Sequence, residues 1–172
     1  MTILKIGMLE IPTRAALDLE QTYEFIGGET TLRTVSGAGI KQQTWKKTRT
    51  TISGGGWLPP GIAALDTAAI LAVACIVPRA IGADASRQAT LPAARRSDAG
   101  HTPWAVAILP GDGIVATSLS FAGHVGTAGL VAGAIGYLIH YYPLLSCLVN
   151  RPAESGSRAD ASYRWEIVAE EV

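Results

Sequence analysis

The sequence has little charge for its length. Of its 172 residues 16% are charged, against roughly 25% in an average soluble domain, and its mean hydropathy is +0.27. Basic and acidic residues number 14 each, so there is no overall electrostatic attraction to nucleic acid or to an anionic membrane. We expect part of this apolar surface to be buried by partner proteins. The alternative is a globular protein whose many alanines and glycines raise the hydropathy.

Cysteine is scarce as well. Cys75 and Cys147 lie in apolar runs and outside any CxxC or CxxH context, which favours two buried thiols over a disulfide or a metal site. The first fourteen residues include Lys5 and Glu10 and contain no long apolar segment. No signal peptide is therefore predicted, and the cytoplasm is the default site of synthesis.

Motifs that carry catalysis or cofactor binding are missing too. The glycines at 54–56 have no adjoining lysine and run into Trp57, unlike a phosphate-binding loop. His101, His124 and His140 are scattered without HxH or HxxxH spacing, and no serine stands in a GxSxG context. We predict a protein that is not an enzyme and has no cofactor, no metal and no small-molecule substrate.

One apolar stretch raises the possibility of a membrane protein. Residues 117–149 contain no formal charge over 33 positions, and Gly129 and Gly133 form a GxxxG spacing. Pro143 and the absence of flanking basic clusters argue against a spanning helix. A small integral membrane protein spanning through 117–149 is the alternative hypothesis, and buried strands joined by glycine turns are the preferred one.

Several segments alternate apolar and polar residues, which is typical of half-buried strands. Leu17 to Phe25 alternates and is followed by Gly27-Gly28, so we predict a strand, a turn and a return strand over 29–35. A second hairpin is predicted for 103–109 and 114–121, around Pro110-Gly111-Asp112-Gly113.

The later segments complete this prediction. Residues 163–167 are expected to form the last strand, 151–162 a loop, and Pro143 an edge, bulge or break within 137–149. Residues 62–77 are a core element for which both a helix and, over 69–77, a buried strand are open.

The predicted fold class is mainly β, with antiparallel hairpins forming a sandwich or barrel-like domain and possibly one short helix. We expect a single β-rich domain over 1–172, with 1–16 as an N-terminal arm containing a short strand at 3–8. Residues 79–102, with four arginines and little periodicity, are expected to be a loop or insertion.

The stretch 40–66 is the most individual part of the chain. Residues 40–53 contain four threonines and predict an exposed or edge strand protected by its lysines and arginine. Trp45 is expected on the same face as Lys47 and Arg49. The chain then forms a stiff elbow, residues 54–61, whose glycines and prolines exclude a helix and present Trp57.

The candidate interface or structural residues are the aromatic, basic, glycine and proline residues of these features and of two later strands: Trp45, Lys47, Arg49, Gly54, Gly55, Gly56, Trp57, Pro59, Pro60, Trp104 and Trp165.

Two segments carry a resemblance. Trp45 with its basic neighbours, the run ISGGGWLPPGIAALD and the closing Tyr163-x-Trp165-x-Ile167-x-x-Glu170-Glu171 resemble small structural proteins of long-tailed bacteriophage tail tips and baseplates, over residues 17–66 and 137–172. The resemblance implies a β-rich, non-enzymatic virion subunit made in the host bacterial cytoplasm and assembled as a ring around a tail tube. Its partners would be other copies of itself and neighbouring tail proteins, with no nucleic acid. Residues 79–102 depart from this pattern.

Overall fold

The structure, a computed structural model, describes residues 4–172. Its strands in chain order are β1 (Leu4–Ile6), β2 (Leu9–Ile11), β3 (Glu20–Arg33), β4 (Gly39–Gly56), β5 (Leu71–Ala74), β6 (Arg79–Gly82), β7 (Gln88–Thr90), β8 (Trp104–Leu109), β9 (Gly113–Thr117), β10 (Leu119–Ala122), β11 (Val125–Ala128), β12 (Gly136–Tyr141), β13 (Leu144–Ser157) and β14 (Ser162–Glu171). Thr13–Ala15 and Ile62–Ala64 form short 3₁₀ helices. The prediction of a mainly β protein with antiparallel sheets is confirmed.

The contacts of the described chain group into two compact units. Unit 1 contains Leu4 and residues 74–145, and unit 2 contains residues 5–73 and 146–172. Each unit is described by itself below.

Unit 2 is built on most of a seven-stranded sheet with the strand order β2-β1-β5-β13-β14-β4-β3. Burial alternates along its central strands: Thr48, Thr50 and Ile52 of β4 point inward, as do Ile167 and Ala169 of β14. This is the period of two that a half-buried strand requires. The sheet therefore has one apolar face and one polar face.

A buried polar contact lies within this core. The Thr50 hydroxyl donates to the Thr22 carbonyl at 2.8 Å and accepts a hydrogen bond from the Gln21 amide at 2.9 Å. Both buried side chains are thereby satisfied, which removes the cost of burying a polar group without a partner.

The short strand predicted over 3–8 is confirmed as β1 from Leu4 onward, and the rest of the predicted arm is wrong. The segment forms β1 and β2 of the sheet, and Ile6 and Ile11 are fully buried. A strand of three residues is too short to give a periodic signal, which explains why β2 was missed. Ile3, with which the predicted strand began, lies outside the described residues.

The first hairpin is longer than predicted. A turn at Gly27-Gly28 and a return strand over 29–35 are both wrong, because the two glycines lie inside β3, opposite Lys46 and Trp45 of β4. The chain reverses at 34–38, where the Thr34 N–H donates to the Ala38 carbonyl and Gly37 adopts a φ of +83°. Only glycine takes that left-handed conformation at little cost.

The predicted exposed or edge strand over 40–53 is correct over 40–48, where β4 pairs with β3 alone, and wrong over 49–53, which lie inside the sheet. β4 pairs with β14 from Arg49 to Gly56 and with β3 along the other side, so β3 is the edge strand of this sheet. The predicted loop over 151–162 is wrong in part, since β13 continues to Ser157 past a bulge between Asn150 and Ala153.

Unit 1 contains a three-stranded sheet, β10-β11-β7, and a four-stranded sheet, β6-β12-β8-β9. Their shared core is formed by six buried residues: Ala89, Leu91, Ala105, Ala128, Ile139 and Tyr141. The second predicted hairpin is confirmed as β8 and β9, with Gly111 and Asp112 at positive φ in the turn. The predicted break at Pro143 is confirmed between β12 and β13.

Residues 79–102 are not a plain loop. They contain β6 and β7, and Leu91, Arg96 and His101 are buried. Two strands of three and four residues in an alanine-rich segment leave no periodic pattern, and pairing with distant strands determines their structure.

For two further segments, 62–77 and 117–149, the sequence was compatible with both a helix and strands. Within 62–77 the chain forms a 3₁₀ turn and then β5, so the strand alternative is correct for 71–74. Residues 117–149 contain β10, β11 and β12. Among residues 4–172, none belongs to a helix long and apolar enough to cross a membrane.

Gly56 generates a testable prediction, because a Cβ atom there would collide with the backbone carbonyl of Arg14. We expect Gly56→Ala to lower the free energy of unfolding by about 2 kcal/mol, measured by urea denaturation. Gly39→Ala, in the same strand, is the control, since its Cβ would meet Thr31 Cγ2 at 3.8 Å. It should change stability by less than about 0.5 kcal/mol. Equal effects of the two substitutions would contradict the packing argument.

Candidate functional site

The most distinctive surface of unit 2 is the part of the first hairpin that extends past the sheet. Between Gly39 and Thr48, β4 pairs with β3 alone, because its ladder with β14 ends at Arg49. We call residues 25–48 the hairpin arm. At about 3.3 Å per residue its ten β4 residues span about 33 Å.

Large apolar side chains are exposed along the hairpin arm. Phe25 is 55% exposed and Trp45 is 52% exposed, and Leu32 and Ile40 are similar. Leu32 and Ile40 face each other across the ladder. The ammonium of Lys46 lies 3.6 Å from the centre of the Phe25 ring, within the range of a cation–π contact.

Trp45 lies across Gly28 of the neighbouring strand. A Cβ atom at Gly28 would come within 2.7 Å of the indole Nε1, so glycine at this position leaves the space that the ring occupies. The Thr44 hydroxyl donates to the Gly28 carbonyl at 2.9 Å beside a bulge in the ladder. Bulges of this kind reorient side chains and increase local twist.

The base of the hairpin arm is held by acidic residues from both neighbouring strands. Arg49 Nε donates to Glu170 Oε1 at 2.9 Å, and Arg49 Nη1 lies 3.3 Å from Glu24 Oε2. The hydrogen bond to Glu170, with the attraction between the charges, raises the pKa of the guanidinium. The Thr48 N–H donates to Glu171 at 2.8 Å. The closing acidic residues therefore fix the point where the arm leaves the sheet.

The three glycines of the predicted elbow belong to β4 itself. A Cβ at Gly54 would lie 2.8 Å from the Trp165 ring. The Trp165 side chain is 3% exposed, and its indole N–H donates to the Ala15 carbonyl at 2.7 Å. The glycines thus allow close packing, and the change of direction begins after Gly56.

The remaining elbow residues, 57–61, differ in how far they are exposed to solvent. Pro60 is buried and Pro59 is exposed, and the Trp57 N–H donates to the Arg14 carbonyl at 2.9 Å. Gly61 has a φ of +77° and leads into the second 3₁₀ turn. The Trp57 ring is 70% exposed, so its core contribution is small and a role at an interface stays a prediction.

A groove opens on the polar face of the same sheet, at the end away from the hairpin arm. It has a volume of about 340 Å³. Its charged lining consists of four carboxylates and one guanidinium: Asp18, Glu20, Glu154, Glu166 and Arg164. Arg164 lies 3.6 Å from Asp18, and within residues 4–172 the other three carboxylates form no ion pair. We call this the acidic groove.

Unit 1 contains a buried arginine cluster that sequence analysis missed. Arg96 is almost fully buried and binds Asp98 through Nε and Nη2 at 2.9 and 2.7 Å, while its Nη1 donates to the Cys75 carbonyl at 2.9 Å. These hydrogen bonds, with a further one from His101, hold the pKa of Asp98 far below its usual value. The cluster ties the irregular residues 95–101 to the strands beside them.

Asp98 and His101 are hydrogen-bonded as the acid and the histidine of a catalytic triad are. His101 Nδ1 donates to Asp98 Oδ2 at 2.7 Å, and Nε2 is buried and makes no hydrogen bond within the described chain. A Ser–His–Asp arrangement needs a nucleophile at that nitrogen. Among residues 4–172 there is also no group of three histidine, cysteine or acidic side chains placed to hold a metal ion.

Trp104 belongs to unit 1, whereas the other candidate residues belong to unit 2. Its ring stacks on His140 with 4.8 Å between centroids and 6° between planes, and Tyr142 lies 5.6 Å away. Burial lowers the pKa of His140, which favours the neutral imidazole in this stack.

The structure brings together some candidate residues and not others. Trp45, Lys47 and Arg49 share one face of β4, as expected from their spacing. Gly54 and Trp165 pack together, and their spacing gave no hint of it. Exposed Phe25, Leu32 and Ile40 were missed as surface residues, although the low charge of the chain was a general signal for such a surface.

Comparison with known proteins finds no family model, no curated protein and no solved structure that matches this chain. The class that the structure defines is therefore a mainly β protein with antiparallel sheets and a protruding two-stranded arm.

The Asp98 carboxylate gives a pH-dependent prediction. Its folded-state pKa is lowered, so its stabilisation is present at neutral pH and is lost as the pH falls below the ordinary value of 3.8 towards the folded pKa. We expect Asp98→Asn to lower the free energy of unfolding by about 2 kcal/mol at pH 7, discounted because the carboxylate is half exposed.

The difference between this variant and the wild-type chain should shrink as the pH falls from 4 to 2 in urea denaturation. Asp112→Asn is the control, because Asp112 lies in the β8–β9 turn at positive φ, which asparagine tolerates. A pH-independent difference for Asp98→Asn would contradict the ionic origin of the effect.

Proposed function

We propose that this chain is a non-enzymatic structural subunit of a bacteriophage tail tip or baseplate, acting through protein–protein assembly contacts. The observation that carries the proposal is the hairpin arm. It is a two-stranded ladder without a third strand over residues 39–48 of β4, and isolated two-stranded ladders are marginally stable in water. Packing against another chain would stabilise it.

The side chains of the hairpin arm support an assembly role. Phe25 and Trp45 are half exposed, as are Leu32 and Ile40, and aromatic anchors of this kind contribute most of the energy at many interfaces. In unit 1, Ile114, Leu130 and Ile135 are exposed as well. A subunit that meets several neighbours would bury such surface.

The particular assembly is inferred from sequence. The run from Ile52 to Asp66 and the closing Tyr163-x-Trp165-x-Ile167 pattern resemble tail-tip and baseplate proteins. In that setting the partners are other copies of the chain and neighbouring tail proteins, and the protein resides in the virion tail.

Replacement of Trp45 tests the role of the hairpin arm. We expect Trp45→Ala to weaken association of the chain with itself and with virions at least tenfold, as loss of a central aromatic anchor does. The midpoint of thermal unfolding should stay within about 2 °C of wild type. Sedimentation velocity and copurification with virions would measure it. Ile70→Ala is the control, since Ile70 is exposed on unit 2 outside the arm. Unchanged association of Trp45→Ala would contradict the proposed role of the arm.

Location in the virion is tested separately. We expect antibodies against this chain, detected with gold particles, to label one end of phage tails in electron micrographs of lysates from the producing host. Antibody preabsorbed with the purified chain controls for background. Tails without label, with the protein recovered only in the particle-free fraction, would overturn the proposed function.

A further inference from the structure

Unit 2 has two surfaces of opposite charge. The hairpin arm carries one carboxylate and four cations: Glu29, Arg33, Lys41, Lys46 and Lys47. The acidic groove carries four carboxylates and one guanidinium. The chain as a whole has no net charge, so this separation is local and is not visible in the composition.

The two surfaces lie at opposite ends of the same pair of strands. At the acidic groove Glu20 of β3 pairs with Ser53 of β4, and in the arm Gly27 pairs with Lys46, seven residues farther along both strands. At about 3.3 Å per residue this separates them by about 23 Å. Because both strands are continuous between these points, the arm does not reach the groove of its own molecule.

Three of the four groove carboxylates form no ion pair among the described residues, the exception being Asp18 with Arg164. Glu20 and Glu166 flank Ser53 in one row of the sheet, where β3 and β14 pair with either side of β4. Both are exposed and form no ion pair among the described residues. At the other end, the Lys46 ammonium contacts the Phe25 ring, and Lys41 forms an ion pair with Glu29 at 2.6 Å. Four cations against one carboxylate leave the arm with an excess of three positive charges. Each surface therefore offers charge that a complementary surface would neutralise.

We infer that the hairpin arm of one molecule docks on the acidic groove of a second copy, with Lys41 and Lys46 facing Glu20 and Glu166. This inference rests on the proposed assembly function and specifies the partner as the chain itself. Complementary potentials of this kind fix the orientation of a contact and exclude the wrong pairing. The groove, at about 340 Å³, also offers space to an aromatic side chain of the arm.

The same charges disfavour a symmetric contact. Two hairpin arms repel each other, as do two acidic grooves, whereas an arm and a groove attract. The favoured contact is therefore head-to-tail. Contacts of this type close into a ring when the rotation between copies permits and otherwise extend into a filament.

A basic arm with exposed aromatic rings also has the composition of a surface for single-stranded nucleic acid. That occupant would leave the acidic groove unexplained, and the neutral chain offers no wider basic surface. The second copy accounts for both surfaces and is the occupant we favour.

Charge reversal in both surfaces tests the inference. The arm variant is Lys41→Glu with Lys46→Glu, and the groove variant is Glu20→Lys with Glu166→Lys. We expect each variant alone to associate at least tenfold more weakly than wild type in sedimentation velocity at about 0.1 M salt. An equal mixture of the two should recover association, since acidic arms then meet basic grooves and basic arms meet acidic grooves.

Recovery of association in the mixture would show that the weaker association of each variant alone is not caused by misfolding. Thr67→Glu with Ile70→Glu, two exposed residues of unit 2 outside the arm and the groove, controls for added negative charge and should associate like wild type. No recovery on mixing, or wild-type association of either variant, would overturn the inference. An oligonucleotide of mixed sequence that is bound by the wild-type and groove-variant chains but not by the arm variant would also overturn it.

The outcomes separate this inference from the proposed function. If antibodies label the tail ends but the purified wild-type chain is a monomer, the contact between copies is overturned and the proposed structural role in the tail still stands. Recovery on mixing combined with unlabelled tails would support the contact and reject the tail assignment.

Discussion

The close packing of Trp165 against the end of β4 is the constraint on which unit 2 depends. The indole occupies the space beside Gly54 and donates to the Ala15 carbonyl, so one ring joins β14, β4 and the first 3₁₀ turn. A buried Trp N–H needs such a partner. A Cβ atom at Gly54 would lie 2.8 Å from the ring, so any other residue there would force the ring out of this position.

Trp165 fixes β4 at the end that contains Gly54. From there β4 and β3 continue past the other strands of the sheet as a two-stranded ladder. Arg49, Glu170 and Glu171 define where the third strand stops. Beyond this point each residue of the arm has one neighbouring strand, and its rings are exposed. The same two strands thus form a buried, closely packed end and an exposed end, and the acidic groove lies beside the first.

Sequence patterns predicted those elements that are long and alternating. The β8–β9 hairpin, the last strand and the break at Pro143 follow from local turn chemistry and period-two burial. Three strands of three or four residues, β2, β6 and β7, were missed because their structure depends on distant partners. Glycine misled in two places. Gly27 and Gly28 suggested a turn and the glycines at 54–56 an elbow, whereas all five lie within strands, where an added Cβ atom would collide with a neighbouring segment.

The sequence predicted that the chain has an interaction surface, but it did not predict which residues come together in that surface. Low charge indicated buried interfaces, and spacing placed Trp45 with Lys47 and Arg49 on one face. The acidic groove collects Asp18, Glu154 and Glu166 from three separate segments, which no local pattern reveals. A net charge of zero was therefore compatible with two arrangements. Basic and acidic residues could be evenly mixed over the surface, or they could be separated into one basic and one acidic surface. The continuous ladder from Glu20 to Lys46 decides between them, because it holds the opposed charges too far apart to neutralise each other within one molecule.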